Sequence, residues 1–120
     1  MENPRTIELI AKSRFNGEES EFDMEYSSSL EQISIGRQRG NTFRIDLEGT
    51  PYVRFGNEVS KSHCAITQDE SGVYVQDLNS LNRTYLNDQV ILPSERCLLH
   101  DGDKIDIARI PFTVKILENK

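Results

Sequence analysis

Hydrophobic residues in this chain recur at every second position rather than every third or fourth, and that period is what most limits its fold. Ile7, Leu9 and Ala11 follow it, as do Ile33 and Ile35, then Phe43, Ile45 and Leu47. Cys64 and Ile66, Val73 and Val75, Ile105 and Ile107, and finally Phe112, Val114 and Ile116 repeat the pattern. Successive side chains of a strand point to opposite faces, so each segment suits a strand with one face buried and one wet. Few windows keep apolar residues at helical spacing, which leaves no crossover helices to build a parallel sheet. Ser71-Gly72, Asn87-Asp88 and Asp101-Gly102 punctuate the segments as turns, the last read as a hairpin. An all-β fold, an antiparallel β-sandwich, is predicted. Two polar stretches, residues 13–29 and 48–58, carry Gly17, Gly49, Pro51 and Gly56, break the rhythm and are predicted to be long loops.

The chain has 120 residues, enough for one hydrophobic core and too few for two, so a single domain over 1–120 with its core at about 5–118 is expected. Hydrophobic residues at 36% and charged residues at 28%, without a low-complexity tract, describe a chain that folds. The formal net charge of −6 opposes binding to nucleic acid or anionic membranes through nonspecific electrostatics. No apolar core like that of a signal peptide follows Met1, and no stretch approaches the roughly 18 apolar residues of a membrane span. The expectation is an intracellular protein whose two cysteines, Cys64 and Cys97, are ordinary reduced thiols; they show no CxxC or zinc spacing.

Three clusters carry chemistry: Gly36-Arg37, Ser60-Lys61-Ser62-His63, and Asn82-Arg83-Thr84-Tyr85-Leu86-Asn87. A phosphorylated side chain brings about −1.5 to −2 charges and three acceptor oxygens, and its receptor must converge donors and positive charge. Arg37 offers two parallel charge-assisted hydrogen bonds, Ser60 a hydroxyl, and Lys61 a mobile ammonium. Asn82 has both donor and acceptor, suited to the backbone of an extended peptide. Neither His63 nor His100 has the sequence partners of a zinc site or a catalytic triad, so no metal or other cofactor is expected.

The order Gly36-Arg37, Ser-Lys-x-His, Asp-x-Asn-Ser-x-Asn-x-Thr-x-x-Asn and Leu99 to Ile105 resembles the forkhead-associated domain. The resemblance implies a sandwich of about eleven strands that binds phosphothreonine peptides through loops at one end, without catalysis. It assigns phosphate contacts to Arg37, Ser60 and Lys61 and the peptide backbone to Asn82. Gly36, His63, Asn79, Ser80, Thr84 and Asn87 become structural supports, with His63 bracing the serine-bearing loop. Lys61 stands where many relatives have arginine, Arg83 where they usually have glycine, and Leu81 where they often have a small polar contact residue. Arg83 is expected to add a charge-assisted contact of its own, at the cost of about 1 to 2 kcal/mol if its φ is positive. Glu58 and Val59, just before Ser60, are candidates for reading a neighbouring peptide residue, and Glu58 should disfavour an acidic one.

The interval of 23 residues from Arg37 to Ser60 is similar to that of the checkpoint-kinase version of the domain. It suggests a nuclear rather than cytoplasmic setting in signalling of the DNA damage checkpoint kind, with a kinase domain or other effector outside this chain. The alternative is a domain of the same fold that recognises a protein surface without phosphate. An enzyme would need a Gly-x-Ser-x-Gly, P-loop or zincin motif, and none occurs. A nucleic-acid site built on Arg37, Arg39 and Arg44 would need a basic face with aromatic stacking residues, whereas the chain is acidic and has no tryptophan.

Overall fold

A computed structural model describes residues 3–15, 18–50 and 52–119. In chain order the strands are β1 (Thr6–Phe15), β2 (Glu18–Ser28), β3 (Gln32–Gly36), β4 (Phe43–Arg44), β5 (Cys64–Asp69), β6 (Gly72–Asp77) and β7 (Thr84–Leu86). They continue with β8 (Gln89–Ile91), β9 (Cys97–Leu99), β10 (Lys104–Ile107) and β11 (Ile110–Leu117); one short 3-10 helix, Val53–Glu58, precedes β5. They form a six-stranded sheet, β2-β1-β11-β10-β7-β8, and a five-stranded sheet, β4-β3-β5-β6-β9. The two sheets make the sandwich that the period of two requires, because each has one apolar face to cover.

The core is the set of alternating residues from both sheets: Ile7, Leu9 and Ala11 of β1 meet Ile33, Ile35, Ile66, Val73 and Val75 of the opposite sheet. Aromatic rings tie the layers together near one edge. Tyr26 of β2 stacks on Phe43 of β4 at 4.8 Å between centroids, and Phe43 meets Phe112 of β11 edge-on at 5.7 Å. Cys64 lies in the same interior; burial, with the Asp77 charge nearby, pushes its thiol up to about 12, so it behaves as a small hydrophobe.

Four expectations change. Residues 13–29 are not a loop: β1 extends to Phe15 and β2 occupies Glu18–Ser28, paired antiparallel to it from Ile7↔Ser28 to Phe15↔Glu18. β2 is an edge strand, and among its described side chains Met24 and Tyr26 pack against the core. The expected Gly17 lies outside the described residues, as does Pro51. The sheets are not wholly antiparallel, since β3 pairs with β4 in parallel through Ile35↔Phe43 and Gly36↔Arg44. Ile45 and Leu47 are buried as predicted, yet β4 stops at Arg44 and they lie beyond the strand. Finally, Asp101-Gly102 is no hairpin: it passes the chain from β9 in one sheet to β10 in the other. Asp101 and Asp103 brace that crossing by accepting from the backbone N–H groups of Ile116 and His100 at 2.8 and 2.7 Å. Asn87-Asp88, by contrast, is the tight hairpin turn between β7 and β8, both residues having positive φ (50° and 69°).

Candidate functional site

Gly36 ends β3 with no room for a side chain. A Cβ there would stand 2.2 Å from the carbonyl oxygen of Lys61, so glycine is what lets the Ser60-Lys61 backbone cross the strand end. The crossing is fixed by N–H of Arg37 donating to the Ser60 carbonyl (3.0 Å) and N–H of Gln38 to that of Lys61 (3.2 Å). The Asn41 amide adds bonds from Nδ2 to the carbonyls of Lys61 (2.7 Å) and Gln38 (2.8 Å). Arg37 itself is half-buried, and its Nε donates to the Val59 carbonyl at 2.9 Å. Held there, the guanidinium keeps two terminal nitrogens that have no hydrogen-bond partner among the described residues.

The second cluster turns on His63, which is fully buried. Its Nδ1 accepts the N–H of Ser60 at 3.0 Å, and its Nε2 lies 2.8 Å from the carbonyl of Arg83. A carbonyl can only accept, so the proton sits on Nε2 and the ring is neutral with both nitrogens satisfied. Burial lowers the pKa of this ring; the Arg83 carbonyl and the Asp77 charge oppose that shift without cancelling it. Ser60 Oγ accepts the N–H of Leu81 at 3.0 Å, which leaves its own hydrogen to donate outward. Lys61 is exposed, with no partner for its ammonium among the described residues.

Asp77 organises the third loop. Its buried carboxylate accepts from the Ser80 hydroxyl (2.5 Å), the Thr84 hydroxyl (2.7 Å) and the Ser80 N–H (3.1 Å). Asn79 and Arg83 both adopt positive φ, 60° and 65°: ordinary for asparagine and strained for arginine. Asn82 is exposed, and its Nδ2 donates to the Glu58 carbonyl at 2.9 Å, tying this loop to the end of the short helix. Glu58 in turn accepts from Arg109 Nε at 3.2 Å. Leu81 presents its side chain 83% exposed although its backbone is bonded to Ser60.

The structure therefore brings together Gly36, Arg37, Ser60, Lys61, His63, Asn79, Ser80, Asn82, Arg83 and Thr84, through the Gly36–Lys61, Ser60–Leu81 and His63–Arg83 contacts. Two expected residues stand apart. Val59 is wholly buried in the core, so its side chain has no surface for a peptide; its carbonyl positions Arg37 instead. Asn87 sits beyond β7 in the hairpin turn, where its amide accepts the N–H of Lys104 (2.9 Å) and donates to Asp103 (3.1 Å). Sequence reasoning missed Asp77 and Asn41. Asp77 was legible as the first letter of the Asp-x-Asn-Ser motif, whereas Asn41 carries no signal beyond its place in a Gly-Asn turn.

Arg37, Lys61 and Arg83 make no ion pair with any described residue, so three cations stand at one end of a chain whose net charge is −6. With the Ser60 hydroxyl they form a donor set for a tetrahedral anion. Among the described residues no three His, Cys, Asp or Glu side chains gather as a metal site. His63 has no nitrogen left to act as a base.

A model of the FHA domain matches residues 33–108, a stretch that contains all three clusters. The chain belongs to the FHA domain family. This FHA domain is 30% identical over 94 residues to Protein FraH of Nostoc sp. (strain PCC 7120), an alignment covering 76% of this chain and 31% of FraH. The chain thus spans about a third of the length of that relative. Among solved structures it is similar to an FHA domain analysed for phosphothreonine-dependent interactions, with 24% identity, a TM-score of 0.65, and 92% and 95% of the two chains covered. It is also similar to the FHA domain of an Arabidopsis thaliana hypothetical protein, with 25% identity, a TM-score of 0.70, and 98% and 90% covered. The near-complete overlaps extend the shared fold to β1, β2 and β11, which lie outside the family match.

Proposed function

We propose that this FHA domain binds protein segments containing phosphothreonine and thereby makes protein–protein association depend on phosphorylation, with no turnover of the bound group. The observation that carries this reading is the cluster of free donors at Arg37, Ser60 and Lys61, fixed by backbone contacts that Gly36 and His63 make possible. In this reading Arg37 and Lys61 pair with phosphate oxygens, Ser60 donates its hydroxyl hydrogen, and Arg83 adds a further charge-assisted contact. Asn82 holds the peptide backbone, its Oδ1 accepting while Nδ2 stays with Glu58 or exchanges that carbonyl for one of the peptide. Family membership and the phosphothreonine-dependent interactions of a domain with the same fold support the same ligand class. The setting is intracellular, where protein kinases supply the modification.

Calorimetric titration tests this with one peptide in phosphothreonine, phosphoserine and unmodified forms. The phosphothreonine form is expected to bind best, the phosphoserine form about 10-fold or more weaker for want of one methyl group, and the unmodified form not measurably. Arg37→Ala and Ser60→Ala should each weaken binding while leaving the fold intact. Equal binding of the modified and unmodified peptides overturns the proposal.

A further inference from the structure

We infer that a groove opening beside Arg37 selects phosphothreonine segments that carry a lysine or arginine near the modified residue, an inference that rests on the phosphate-binding reading above. The groove holds about 340 Å3 between the chain at 44–48 and the short helix. Ile45 and Leu47, both buried, form its floor. Val53, 54% exposed, and Gly56 form one wall. A Cβ placed on Gly56 would meet nothing within 4 Å, so a side chain can be added on that wall without a clash.

Charge decides the occupant. Arg44 on the rim is already engaged: Nε donates to the Arg37 carbonyl at 3.2 Å and Nη1 pairs with Asp46 at 3.4 Å. That pair roughly cancels. Glu48 is exposed and makes no ion pair with any described residue; its backbone N–H donates to Asp46 Oδ1 at 3.1 Å, which holds the Asp46 carboxylate, and both residues line the groove. The site therefore has opposite poles: Arg37, Lys61 and the Ser60 hydroxyl take the dianion, and the rim at Glu48 takes a cation. Lysine and arginine fit both the charge and the apolar lining, since their methylene stems lie along Val53 and the floor while the head stays in water beside Glu48. An aspartate or glutamate in the same place would face Glu48 and be rejected.

An oriented library of phosphothreonine peptides, with flanking positions randomised, tests this against the wild-type domain, Glu48→Lys and Gly56→Met. Lysine and arginine should be enriched at one flanking position by about two- to fivefold, the worth of a partly exposed ion pair. Glu48→Lys should abolish that enrichment and favour aspartate or glutamate there, and Gly56→Met, which adds a long side chain to the groove wall, should flatten it. Both variants should still prefer phosphothreonine to threonine. Enrichment that survives Glu48→Lys, no basic preference at any position, or selection of an apolar residue instead overturns the groove assignment alone. Loss of the preference for phosphorylated peptides in the wild-type protein overturns the phosphate-binding reading, and this inference with it.

Discussion

Asp77 shows how a single buried carboxylate can set a loop from the interior. Its oxygens satisfy two hydroxyls and one backbone N–H in the interior, and all three lose their partner together if it is removed. Each buried donor left unmade costs about 1 to 3 kcal/mol. Asp77→Ala should therefore lower unfolding stability by about 3 kcal/mol or more; a loss below about 1 kcal/mol in urea titration would contradict this account. Arg83 is the opposite case, a residue that strains its own backbone at φ 65°. Arg83→Gly removes roughly 1 to 2 kcal/mol of left-handed strain, partly offset by the greater freedom of glycine in the unfolded chain. The variant should be as stable as the parent or more so, yet bind phosphopeptide more weakly and with a shallower dependence on salt. Weaker binding at unchanged salt dependence would locate the effect in loop shape rather than in charge. The sequence made the strain at Arg83 legible because glycine is what such loops usually hold. It could not reveal that the carbonyl of Arg83 receives a hydrogen bond from His63.

Loops that lie far apart along the chain form one site because contacts between them fasten it, and two of these contacts predict their own failure. Gly36→Ala would drive a methyl group against the Lys61 carbonyl, which as backbone cannot swing aside. Both loops must then separate, and phosphopeptide binding should be lost in calorimetry although the sandwich, read by circular dichroism, persists. The second fastening is pH-sensitive. Burial lowers the pKa of His63 in the folded state, so below about 6.5 the unfolded chain takes up a proton that the native protein refuses. Stability is thus full above that value and declines as the pH falls toward the lower native pKa; when the ring is finally protonated, the Ser60 N–H loses its acceptor. Denaturant midpoints measured from pH 8 to pH 5 should fall through that window in the parent and fall less in His63→Gln, after allowance for the acidic groups common to both. At this scale the alternation located most strands, because burying one face of a strand writes itself into the sequence. Strands β2, β7, β8 and β9 were not found that way: β7, β8 and β9 have three residues each, too few for an alternation to repeat, and the long edge strand β2 falls in a polar stretch.

The whole sandwich is the framework for a site no single element contains, so occupancy and global stability must be linked. A phosphothreonine peptide at about 100 times its Kd should raise unfolding stability by about 2.7 kcal/mol, and its unmodified counterpart by none. A thermal shift that is the same for both peptides would show that the bound surface lies elsewhere. By itself the sequence determined the all-β class and the candidate donors, because periodicity and residue chemistry are local properties, and its resemblance to the family marked the departures at Leu81 and Arg83. Only the tertiary structure decided which of those residues meet. It buried Val59, turned Asp101-Gly102 into a passage between sheets, and opened a groove beside Arg37 where the chain at 44–48 faces the short helix. Those outcomes depend on which strands pair and which carbonyl lies across which glycine, and contacts between distant segments leave no period in the chain for a reader to find.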